Sequence, residues 1–153
     1  IRYPRGRGVM KEWKTSFNKI EIGKGSLMKA GKDIAILAIG PLANTALKAI
    51  DEAQKQGISA ALYNMRFLKP IDEGLLHEVL SSFDKIITLE DGTIEGGLGT
   101  AVSDFARQNN YTATIKKLGI PDRFVEQGSL EELYHECGFD LNGILEAITA
   151  FKK

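Results

Sequence analysis

The chain has 153 residues, with 43% apolar and 26% charged side chains and one cysteine. That length suits one domain able to bury roughly 70% of its unfolded surface, and the composition excludes a disordered or disulfide-framed chain. Twenty Lys and Arg balance twenty Asp and Glu, but residues 1–32 hold nine basic groups against two acids and residues 33–153 hold eleven against eighteen. No apolar run reaches membrane-spanning length, and no signal-peptide pattern opens the chain.

In chain order, "IRYPRGRG" opens without Met and carries three arginines. It reads as the start of a stiffened basic arm, residues 1–25, leading into an α/β domain, residues 26–153. The expectation is the last domain of a larger enzyme. "GSLMKAGKD" suggests an edge strand with a tight turn at Ala30–Gly31. "DIAILAIG" is too short for a helix and reads as a strand buried on both faces. Pro41 suits a helix start, and a helix over Leu42 to Gln56 turns Leu47, Ile50 and Ala53 inward before Gly57 stops it. "ISAALYNMRF" is a second buried strand, followed by a "KPID" turn in which Asp72 caps a helix bearing Leu75, Leu76, Val79 and Leu80.

"KIITLE" supplies a third strand, then the glycine-rich "DGTIEGGLGT" and a helix from about Ala101 to Gln108. "TATIKKLGI" supplies a fourth. Ser129 and Glu132 form a capping box for a helix ending at Cys137. Asp140 caps a last helix that buries Leu141, Ile144, Leu145, Ile148 and Phe151. Strands alternating with helices predict a doubly wound, mainly parallel sheet with helices on both faces.

Such sheets bind ligands at the carboxyl ends of their strands. The positions to weigh are therefore Gly40, Asn64–Arg66, Glu90–Asp91 and the loop from Gly92 to Gly99. The loop fits neither the dinucleotide fingerprint nor the P-loop, and Glu90, Asp91 and Glu95 oppose an anion there, so it reads as a structural turn. Glu90 and Asp91 diverge on an extended chain and make a poor acid–base pair. His77, His135 and Cys137 have no metal-ligand spacing, and Cys137 reads as a small core residue. The scattered basic residues, with no aromatic stacking module, argue against nucleic acid.

In "RYPRG", Pro4 restrains Tyr3 and Arg5, and Gly6 allows a sharp turn that exposes the Arg5 guanidinium, a fork suited to phosphate. The same residues suit an interdomain linker whose arginines pair with surface acids.

"RYPRGRG", "EIGKG", "MRFLKPID", "LEDG…GGLG" and "GIPDRFVEQGS", in this order, resemble the C-terminal domain of the 1-deoxy-D-xylulose-5-phosphate synthases. The turn Arg66, Lys69, Pro70, Asp72 and the Glu90 loop are similar across the transketolase superfamily, whereas "YPRG" joined to "IGKG", and "IPDRFVEQG", point to the synthases. The resemblance implies a three-layer α/β/α fold with a five-stranded mixed sheet, one edge strand antiparallel. It implies a cytoplasmic, homodimeric transferase of isoprenoid biosynthesis that condenses pyruvate with glyceraldehyde 3-phosphate and loses carbon dioxide, binding neither nucleic acid nor membrane. Thiamine diphosphate and Mg2+ are implied for the preceding domains, whose motifs this segment lacks, so the segment alone is expected to be inactive. It further implies that Arg5 holds the substrate phosphate, with Arg2 and Tyr3 in support and Arg7 incidental. Rival readings are the C-terminal domain of a transketolase or of a 2-oxo-acid dehydrogenase β subunit, which docks a partner, and a free-standing α/β binding module.

Overall fold

The computed structural model describes residue 16 and residues 18–151. Strands β1 (Ser26–Lys29), β2 (Ile34–Ile39), β3 (Ala60–Asn64), β4 (Lys85–Thr93) and β5 (Thr114–Ile120) form one sheet in the order β1-β3-β2-β4-β5. β1 pairs antiparallel with β3, and every other neighbouring pair is parallel. The helices are α1 (Leu42–Lys55), α2 (Glu73–Ser82), α3 (Leu98–Gln108), α4 (Leu130–Glu136) and α5 (Leu141–Ala150).

β2 and β4 alternate their side chains between two cores, as the pleat requires. Ile36 and Ala38, with Ile87 and Leu89, face α1 and α5 in a cluster that includes Phe139. Ala35, Leu37 and Ile86 face α2 and α3 in a second cluster with Leu76, Val79 and Val102. Burial on both faces is why these strands read as unbroken apolar runs. α1 presents Ala43, Ala46, Ala49, Ile50 and Ala53 inward, and its alanines allow close approach of α5. Leu47 is only partly buried at the rim of that contact. On α5, Ile144, Ala147 and Ile148 are buried, whereas Leu141, Leu145 and Phe151 are partly covered.

Local capping sets several element starts. Asp72 accepts from the Leu75 N–H at 3.1 Å, and Asp140 from the Gly143 N–H at 2.8 Å. Ser129 and Glu132 cap each other reciprocally at the start of α4. Several boundaries differ from the sequence expectation. β3 runs only from Ala60 to Asn64, β4 runs on past Glu90 to Thr93, and α3 begins at Leu98 rather than Ala101. The α3 start follows from what Glu90 does. Among the described residues no helix is long and apolar enough to cross a membrane.

Candidate functional site at the carboxyl ends of the strands

The parallel strands end on one side of the sheet, at Ile39–Gly40, Asn64, Thr93 and Ile120, with Glu90 and Asp91 just short of the β4 end. β1 runs the other way, and its first residue, Ser26, pairs with Asn64. The chain therefore reaches the sheet from beyond its carboxyl end, the side on which open α/β sheets bind ligands.

The glycine loop leads to the N-terminus of α3, whose free N–H groups make an anion site by default. That place is already filled. Glu90, only 5% exposed, accepts from the Leu98 N–H at 2.8 Å and the Gly99 N–H at 2.9 Å. A carboxylate from the adjacent strand thus replaces the missing side-chain cap at Gly97. Gly97 is required there, because a Cβ on it would lie 2.0 Å from Glu90 Oε2. The loop is a structural turn, as its acids suggest, and one of those acids is itself the helix's anion. Sequence reasoning missed this role. The available signal was an acid at a strand end eight residues before an uncapped helix start.

Asp91 points the other way. It accepts from the Tyr134 hydroxyl at 3.1 Å, and Tyr134 stacks obliquely on buried Phe139 with ring centroids 4.8 Å apart. Burial raises the Tyr134 pKa, and the Asp91 carboxylate adds to the rise, so this phenol stays a proton donor to Asp91 at neutral pH. The two neighbouring acids tie different helices to β4 and share no task.

At the β3 end, Arg66 adopts φ +56°, with its N–H donating to Asn64 Oδ1 at 3.0 Å. Its exposed guanidinium stands at the sheet's carboxyl end. The following turn contains the cis Lys69–Pro70 bond and meets the "IGKG" segment. Gly23 has φ +75°, and a Cβ on it would lie 2.9 Å from Pro70 Cγ. The Gly25 N–H donates to Asp72 Oδ2 at 3.0 Å, and Lys24 Nζ stands 3.5 Å from Oδ1. Burial by itself would raise the Asp72 pKa, but the Leu75 and Gly25 N–H groups, helped by Lys24, bring it below the usual carboxylate value. One buried carboxylate therefore caps α2 and fastens the end of the arm. The two motifs are 47 residues apart, so nothing local announces their meeting.

Cys137 packs partly buried against the α1/α5 cluster. Burial raises its pKa, Arg123 opposes the rise and Glu136 adds to it, which leaves a poor nucleophile. His77 bonds Tyr111 at 2.8 Å, and His135 bonds Asp140 at 2.9 Å. Among the described residues no three potential metal ligands converge. The glycine loop and the α3 N-terminus do not fit a magnesium-bound diphosphate: Glu90 already takes the helix N–H groups, with Asp91 and Glu95 nearby. Arg5, Arg2, Tyr3 and Arg7 lie outside the described residues.

The chain's likenesses agree with this architecture. The family "Transketolase, C-terminal domain" matches residues 23–144. A 1-deoxy-D-xylulose-5-phosphate synthase of Phocaeicola vulgatus is 49% identical over 99% of this chain and 24% of its own length. The synthase of Bacteroides thetaiotaomicron is 50% identical over 97% of this chain and 23% of its own. The chain thus spans about a quarter of the length of these relatives. Among solved structures, a split-gene transketolase described as an inactive beta4 tetramer superposes with a TM-score of 0.80 at 32% identity. That match covers 87% of this chain and 43% of the other. The transketolase of Campylobacter jejuni, at TM-score 0.59 and 17% identity over 90% of this chain and 20% of its own, shares the fold. With well over half of its residues matched and the antiparallel β1 edge in place, the chain belongs to the transketolase C-terminal domain family.

Proposed function

We propose that this chain is the C-terminal domain of a 1-deoxy-D-xylulose-5-phosphate synthase, a homodimeric cytoplasmic transferase that joins pyruvate to glyceraldehyde 3-phosphate with loss of carbon dioxide. One observation carries the choice among superfamily members. The general family match begins at residue 23, whereas the synthases align over 97–99% of the chain, the basic arm included. In this reading thiamine diphosphate and Mg2+ belong to the preceding domains, and this segment supplies packing and a grip on the triose phosphate. Arg5 is the gripping residue, with Arg2 and Tyr3 in support.

Two structural features support that division. The Gly25–Asp72 clasp lets the arm depart from the carboxyl end of the sheet. The α3 N-terminus, the anion position beside the glycine loop, is occupied by Glu90, which supports a phosphate grip supplied by the arm instead of by that loop. A guanidinium can hold a phosphate in two places, and binding energy far from the reacting carbon orients the aldehyde. The inactive assembly of the split-gene transketolase supports an isolated segment without activity of its own.

The test uses the synthase-length protein. Arg5→Ala is expected to raise KM for glyceraldehyde 3-phosphate about 10-fold or more, the loss typical of a truncated partner in a desolvated ion pair. The KM for pyruvate is expected to stay unchanged. Equal use of glyceraldehyde 3-phosphate by the variant refutes the assignment of Arg5. Absence of triose-phosphate-dependent decarboxylation in the unaltered protein refutes the synthase reading.

A further inference from the structure

Two groups of large apolar side chains stand in solvent beyond the carboxyl end of the sheet, one on each flank. On the β1 flank are Ile20, 57% exposed, and Ile22, 73% exposed. They precede Ser26, which pairs with the last residue of β3. On the β5 flank are Phe124, with no part of its side chain covered, and Leu130, 58% exposed. Phe124 lies four residues past the end of β5. Five strands at about 4.8 Å spacing set the two flanks roughly 19 Å apart.

Neither group sits on a free tether. The turn carrying Ile22 is closed by the Lys24 N–H donating to the Glu21 carbonyl, and held by Gly23 against Pro70 and by Gly25 on Asp72. The Phe124 loop is held by the Arg123 N–H on the Pro121 carbonyl at 2.8 Å and by Arg123 on Glu136 at 2.7 Å. The capping box at Ser129 closes its far end. Backbone fixed in this way keeps an aromatic ring and a branched aliphatic chain in water, which is the arrangement of docking anchors rather than of isolated surface residues. Between them Arg66, Lys69, Asp122 and Glu126 supply an exposed polar rim of both signs.

We propose that the carboxyl end of the sheet is a protein-docking face whose occupant is the polypeptide preceding this domain in a synthase-length chain. This rests on the synthase reading above. The occupant follows from two facts: about three-quarters of each relative's length lies outside the match, and the chain enters the domain at this end. A face about 19 Å wide with anchors on both sides is of the size of ordinary interdomain contacts.

The test is site-specific thiol labelling. Ile22→Cys, Phe124→Cys and Gln108→Cys are made singly in a Cys137→Ser background. Each is made both in residues 1–153 and in the synthase-length protein, and modification by a maleimide is followed by peptide mass spectrometry. Gln108 ends α3 at the opposite end of the sheet and serves as the exposed control. All three positions are expected to label quickly in the short chain. In the long protein, positions 22 and 124 are expected to slow at least tenfold while 108 keeps its rate. Equal rates at 22 and 124 in the two proteins overturn the proposal. So does protection already present in the short chain that grows with its concentration, because a second copy then covers the face. The readout is independent of turnover: protection without triose-phosphate-dependent activity sinks the synthase reading alone, and activity without protection sinks the docking face alone.

Discussion

Replacing Glu90 by Gln keeps side-chain length and shape and turns one carboxylate oxygen into an amide nitrogen. In the native protein both oxygens are engaged, at 2.8 Å from the Leu98 nitrogen and 2.9 Å from the Gly99 nitrogen. The amide can accept from one of these groups and must turn its own donor toward the other, which leaves that buried N–H unpaired. Losing a hydrogen bond to a charged acceptor costs about 1.5–3 kcal/mol. Loss of negative charge at a helix N-terminus adds about 0.3–1 kcal/mol. The expected destabilisation is therefore about 2–4 kcal/mol. For a domain of this length that lowers Tm on the order of 10 °C, and in urea the midpoint falls with an unchanged slope. Glu90→Ala is expected to cost more, since both N–H groups lose their partner. Glu95→Gln, on an exposed acid of the same loop, should stay within about 0.5 kcal/mol of the native protein. A Glu90→Gln midpoint indistinguishable from that of Glu95→Gln refutes the claim that this carboxylate holds α3 against β4.

Asp72 governs an acid-sensitive contribution. Its folded-state pKa lies below the usual value, so its stabilisation is complete above the unfolded carboxylate pKa of about 4 and is lost as pH falls through the lower folded pKa. Asp72→Asn can still accept from one of the Leu75 and Gly25 N–H groups but not both, so it should cost about 1–3 kcal/mol at pH 7, as losing a hydrogen bond to a charged acceptor does. The gap to the native protein should narrow as urea denaturation is repeated from pH 5 toward pH 2, and a gap independent of pH contradicts the reading. Phe139 is 1% exposed and bridges α4 to the α1/α5 core. Phe139→Ala should cost about 3–5 kcal/mol in the same assay, with a loss under 1 kcal/mol showing that the α4 layer packs loosely.

What could be read from the sequence follows the range of the interactions involved. Gly40–Pro41, Gly57, the Ser129–Glu132 box and the Asp72 and Asp140 caps act within a few residues of themselves, and each marks its element boundary correctly. Strand order is a tertiary property. Periodicity predicts a mainly parallel sheet, and it was the likeness to the synthases that implied an antiparallel edge strand, which β1 is. The α3 start was placed late because its cap is not local: the partner is a carboxylate on the preceding strand, reached across a glycine loop. The Gly25–Asp72 clasp and the Tyr134–Asp91 bond, 47 and 43 residues apart in sequence, carry no signature in either neighbourhood. Arg5, to which the likeness gives the phosphate grip, falls outside the described residues.

Glu90 also decides what the glycine loop and the α3 N-terminus can bind. A helix N-terminus can satisfy its free N–H groups with a ligand or with the protein, not with both at once. Here the protein's own carboxylate has taken the position, Gly97 leaves room for it alone, and Asp91 and Glu95 keep the surroundings negative. α3 is thereby fixed in place whether or not any substrate is present. The cost of that rigidity is that the α3 N-terminus no longer offers its N–H groups to an outside anion. On the synthase reading proposed above, the phosphate grip falls instead to Arg5, in a segment, residues 1–32, that holds nine basic groups against two acids.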